Sequence, residues 1–85
     1  MPLHSHRFVE DYDGPVAFGF DRETDENTVI VYLQKFSDDR LMDVLRKRLS
    51  DEELTGLFDM VSGLMQRHLE EPEYHALFLK EDGHE

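Results

Sequence analysis

The 85-residue chain has no cysteine and no tryptophan, only three prolines, and 9 Lys+Arg against 20 Asp+Glu. Without cysteine there are no disulfides, no thiolate metal sites and no cysteine nucleophile, which suits a reducing compartment. No uninterrupted apolar run is long enough for a membrane span, and no basic start leads into an apolar core of the kind a secretory signal has. Cytoplasm is therefore the expected location. The net charge of −11 stays negative even with all five histidines protonated. Such a field repels nucleic-acid phosphates and anionic lipid, so the expected partners are proteins with a basic surface, or cations, and neither nucleic acid nor membrane.

The chain contains no GxxxxGK[ST], no GxGxxG and no HExxH. The phosphate-cradling loops and the helical zinc pair those patterns encode are thus not expected. Of the serines after the first few residues, Ser37 and Ser50 stand where helix caps belong and Ser62 lies on a helix flank, so no activated nucleophile is indicated. A domain of this size leaves little volume for a substrate pocket of about 300 Å³ or more. The reading is non-catalytic, with no cofactor.

Hydrophobic residues make up 39% of the chain and nine residues are aromatic, enough for one globular domain over residues 1–85 with short flexible ends at 1–6 and 80–85. Val16, Phe18 and Phe20 alternate with small residues, and Thr28–Gln34 is β-branched with Val29, Val31 and Leu33 in a period of two. These predict two antiparallel strands in a hairpin, with a third strand at Arg7–Asp11 extending it to a meander. After Phe36 the period lengthens. Ser37, with two aspartates behind it, predicts the start of a helix carrying Leu41, Val44, Leu45 and Leu49 on one stripe, into which Arg48 projects from the last turn. Ser50 and Glu53 form a capping box for a second helix, whose Leu54, Leu57, Phe58, Val61, Leu64, Met65 and Leu69 recur at spacings of three and four. A short third helix, Pro72–Leu79, follows, with Pro72 in its first turn. The predicted class is α+β: an N-terminal hairpin or three-stranded meander with three helices packed on one face.

The acidic stretch between the two strand segments offers oxygens at Asp21, Glu23, Asp25 and Asn27, the odd-position spacing with which a calcium loop begins. Position six, however, holds Glu26 where glycine is required, and position twelve holds Tyr32 where a bidentate glutamate is required. The reading is a solvated hairpin tip, with a weak divalent site at Asp21, Glu23 and Asp25 as the alternative. At the N-terminus, removal of Met1 would place His4 third, where a terminal amine, two amides and an imidazole make a square-planar nitrogen set for copper or nickel, with His6 as a further donor. His68 falls inside the apolar face of the second helix, and His75 sits beside Leu79 at the edge of the third helix's stripe, one turn after Glu71. Arg46, Lys47 and Arg48 form the basic cluster, at the end of a helix where cations complement the dipole.

The remaining anomaly is on the second helix. Gly56, Met60 and Gly63 follow one side of it, and each glycine costs about 1 kcal/mol relative to alanine inside a helix. Close approach of another element, within the chain or from a partner, would account for them. The expectation is a small acidic protein–protein interaction or regulatory module, a homodimer or bound to a basic partner, contacting through Gly56, Met60, Gly63 and Arg48. The alternative is a metal-binding protein using His4 and His6 or the acidic tip.

Overall fold

The structure is a computed structural model that describes residues 6–81. Among these residues it is built of helices, with no strand. The expected hairpin or meander, and with it the α+β class, is therefore corrected: the regular structure of the described residues is helical throughout. The chain divides into two compact units, one ending at Arg48 and the other beginning at Leu49.

In the first unit, the segment predicted as a strand at Arg7–Asp11 is a short helix, α1. The predicted second strand lies inside helix α2, Arg22–Phe36, whose cap is Asp21. Its start explains why the alternating pattern loses. Asp21 Oδ1 accepts from the Thr24 amide at 2.8 Å and Oδ2 from the Thr24 hydroxyl at 3.1 Å. Glu23 and Asp25 lie in the first turn and Lys35 in the last, both favourable to the helix dipole. Arg22 and Glu26 pair across one turn at 2.7 Å. A cap, dipole-matched ends and an i,i+4 pair together outweigh the modest strand preference of four β-branched residues.

α2 buries Thr28 and Val31, one turn apart on one face. Thr28 is tied to the irregular segment before the helix: its hydroxyl donates to the Ala17 carbonyl at 2.8 Å and accepts from the Ala17 amide at 3.0 Å. That pairing satisfies a polar group that would otherwise be costly to bury. Further along the same side, the Val9 amide donates to Gln34 Oε1 at 2.9 Å, holding α1 against α2. Gly19, at φ 101°, gives the chain the left-handed residue it needs before the cap, and its amide donates to Asp25 Oδ1 at 2.8 Å. Of the residues placed on the two expected strands, Val16, Phe18, Phe20, Val29 and Leu33 are exposed and Val31 is buried.

Ser37, expected as a helix start, is the C-cap of α2, and the next helix, α3, is Asp39–Leu45 with Asp38 as its cap. Asp38 prevails because its carboxylate accepts from the Arg40 amide at 3.1 Å, whereas the Ser37 hydroxyl donates back to the Gln34 carbonyl at 3.2 Å.

The second unit follows the sequence pattern closely. α4 runs Asp51–His68 behind the expected capping box: Ser50 Oγ accepts from the Glu53 amide at 3.1 Å, and Glu53 Oε1 accepts from the Ser50 amide at 2.9 Å. α5, Glu71–Glu73, runs on into a π-helical segment at Tyr74–Phe78. Tyr74 and Phe78 stack at 5.3 Å, and Lys80, at φ 61°, ends the segment with its ammonium on the Leu77 carbonyl at 2.7 Å.

Candidate functional site: the apolar stripe of helix α4

An 18-residue helix rises about 27 Å. Along α4 the apolar side chains Leu54, Leu57, Phe58, Val61 and Leu64 follow one another at spacings of three and four, and every one of them is exposed. Phe58 is 70% exposed, and Met60, at the edge of the stripe, 65%. Together these six present roughly 500 Å² of apolar surface, the upper range of the largest patch on an ordinary monomer, where such patches mark contact sites. Polar residues flank them. The first turn carries Asp51, Glu52 and Glu53, and the last carries Arg67 and His68.

Gly56 and Gly63 lie on a different side. A Cβ built at Gly56 would meet nothing within 4 Å, and at Gly63 it would meet only the Arg67 guanidinium, at an ordinary 3.5 Å. Within the described chain nothing approaches either glycine closely enough to require it. Of the four residues expected to bind a partner, Met60 adjoins the apolar stripe, Gly56 and Gly63 lie on the polar flank, and Arg48 lies beyond the end of α3. Arg48 is exposed, its amide donating to the Leu45 carbonyl at 2.8 Å. The sequence places Leu54, Leu57, Phe58, Val61 and Leu64 on one face but does not show that, within the described residues of the second unit, the face is exposed. Periodicity gives direction, and exposure depends on what the rest of the chain does.

The acidic stretch is a helix start and not a loop tip. Both carboxylate oxygens of Asp21 are engaged at the cap, and Asp25 holds the Gly19 amide. Among the described residues no group of three or more metal-ligating side chains is gathered. His4 lies outside the described residues. His6 Nε2 is hydrogen-bonded to Ser37 Oγ at 2.9 Å. His75 stands between two carboxylates, with Nδ1 3.1 Å from Glu81 Oε1 and Nε2 4.0 Å from Glu71 Oε2. The Glu71 neighbour follows from the one-turn spacing, whereas the Glu81 neighbour depends on the π-helical segment and its left-handed end.

Each unit also has hollows. In the second, Ser62, Met65, Gln66, Leu69 and Tyr74 line one of about 330 Å³. In the first, Ala17, Phe18, Thr28, Val29, Tyr32 and Leu33 line another of about 330 Å³. Both reach the roughly 300 Å³ at which ligand pockets begin, more room than the chain length suggests. Their walls are largely apolar, with one tyrosine apiece as the titratable group. A neighbouring hollow of about 610 Å³ is lined by Phe18, Arg22, Asp25, Glu26, Val29 and Ile30, and there Arg22 and Glu26 neutralise each other. No described helix is long and apolar enough to cross a membrane. Searches with protein-family models, against curated proteins and against solved structures find no match to this chain.

Proposed function

We propose that the chain is a non-catalytic interaction module of the cytoplasm whose docking element is α4. The observation that carries this reading is the continuous exposure of Leu54, Leu57, Phe58, Val61 and Leu64 along a helix with a complete capping box. Helix-in-groove and helix-on-helix recognition use anchors at just such spacings. Met60 belongs to the surface as its adaptable edge, a flexible thioether that fits itself to whatever packs beside it.

The thinness of the core supports the same reading. Among the described residues Val31 is the apolar side chain that is buried, with Thr28 beside it. Ordering a chain costs about 1–2 kcal/mol per residue, which a small core offsets by a narrow margin. Binding a partner stabilises the folded form by mass action, so a module of this kind folds best when docked. The acidic field steers it away from nucleic acid and toward neutral or basic surfaces.

The test compares the native chain with a Leu57→Glu/Val61→Glu variant by native sizing in a lysate of the host. The native chain should migrate well above its own 10.1 kDa, and the variant as the bare chain, while the purified variant keeps the helical circular dichroism of the original. A native chain that migrates as the bare monomer in the lysate, and also stays monomeric when purified and concentrated to about 200 μM, would overturn the reading.

A further inference from the structure

We infer that the occupant of the α4 stripe is the α4 of a second copy of this chain, lying antiparallel. The inference rests on the docking-helix reading above and adds the identity of the partner, its direction and its register.

The first ground is the seam. Leu54, Val61 and His68 fall at one heptad position and Leu57 and Leu64 at the other, the alternation of three and four that two-stranded helical contacts use. Phe58 and Met65 border this seam on one side, and Glu53, Met60 and Arg67 border it on the other. Gly56, Asp59, Ser62, Gly63 and Gln66 point away, which matches the open space around Gly56.

The second ground is the register. With two such seams antiparallel, one alignment sets Leu54 against Leu64 of the second copy and Leu57 against its Val61, each layer occurring twice by symmetry. The two-fold axis then crosses the helix beside Asp59, within a residue of the midpoint of Asp51–His68, so the two helices overlap along nearly their whole length. A slip of one heptad leaves eight residues of each helix without a counterpart in one direction, and in the other leaves six and sets Leu57 against His68, so either slip keeps only two of the four apolar layers. A self-complementary surface centred on its own helix is what an isologous dimer requires.

The third ground is charge. In that alignment the flanking positions bring Glu53 of each copy beside Arg67 of the other, and Met60 beside Met60 on the axis. Arg67 makes no ion pair among the described residues, and Glu53 spends only its Oε1 oxygen on the Ser50 amide. The acidic first turn of each helix meets the last turn of the other, which carries Arg67 and His68. A parallel pair would instead set Asp51, Glu52 and Glu53 against their own copies and align the two helix dipoles, so the same residues that favour one direction oppose the other. The buried surface also limits the strength. Roughly 500 Å² from each copy gives about 1,000 Å² in all, the lower bound for a specific interface. A dimer of this size, carrying −11 on each chain, dissociates on dilution in the micromolar range.

The absence of native cysteine makes the test clean. Sedimentation of the purified full chain from about 1 to 200 μM should show a monomer–dimer equilibrium. Glu53→Cys, which retains the Ser50 bond to the backbone of residue 53, and Arg67→Cys are then mixed in equal amounts and mildly oxidised. The inference predicts that the 53–67 heterodisulfide dominates, and that Met60→Cys alone cross-links to itself. Dominant 53–53 and 67–67 species would overturn the antiparallel arrangement. A purified chain that is monomeric throughout would overturn the second copy as occupant. If that same chain still runs as a large complex in host lysate, the docking reading stands and the partner is a different protein.

Discussion

Replacing Gly56 by alanine separates the two faces of α4 more sharply than any change to the apolar stripe. A glycine inside a helix costs about 1 kcal/mol relative to alanine, because the unfolded chain has more freedom to lose. Position 56 lies five residues into an 18-residue helix, away from both caps, and a Cβ there meets nothing within 4 Å. The full propensity gain is therefore available and no packing term opposes it. The expected effect is stabilisation by about 1 kcal/mol, read as a higher urea midpoint at unchanged slope, with the sedimentation behaviour of the native chain retained. In this account the glycine flank faces solvent and the leucine stripe faces the partner. If Gly56→Ala destabilises the chain or weakens its association, a backbone-close contact exists on the flank, and the assignment of the docking face to Leu54, Leu57, Phe58, Val61 and Leu64 is wrong.

Other expectations concern the first unit. Asp21→Ala removes both cap bonds to Thr24 and should cost about 1 kcal/mol in chemical denaturation. Calcium added to the native chain should leave its circular dichroism unchanged, since Asp21 and Asp25 already hold Thr24 and Gly19; a saturable calcium-dependent change would favour the metal reading of that stretch. Thr28→Val keeps the shape of the side chain but strands the amide and carbonyl of Ala17, and should destabilise by about 1–3 kcal/mol; a neutral outcome would show that segment 16–20 is not pinned through Ala17. Gly19→Ala forces a side chain into the left-handed region at φ 101° and should cost about 1–2 kcal/mol, measured the same way.

The second unit was legible in the sequence because its signals agree with one another. Ser50 and Glu53 mark the start of α4, the apolar residues keep one period for four turns, and Pro72 sits where a new helix begins. In the first unit the signals conflict. Val29, Val31 and Leu33 alternate, which reads as a strand, yet the buried pair is Thr28 and Val31, a helical spacing that includes a polar residue. A hydrophobicity pattern cannot single out Thr28, whose burial depends on the two bonds it makes to Ala17 eleven residues earlier. The deciding local signal was Asp21 three residues before Thr24, with acids in the first turn and Lys35 in the last, a helix start obscured by its resemblance to a calcium loop. At the candidate site the stripe itself could be read and its exposure could not. Gly56 and Gly63 are costly residues inside a helix, but the nearest described groups do not require them, and of that set Met60 borders the apolar surface.

Backbone hydrogen exchange of residues 54–64 in the purified chain at about 1 μM and about 100 μM tests directly whether α4 is covered by a second copy. Protection should rise with concentration across this segment, in step with dimer mass, while the amides around Thr28 and Val31 change less. Protection in 54–64 that is the same at both concentrations, in a chain that sediments as a monomer at both, would contradict the account.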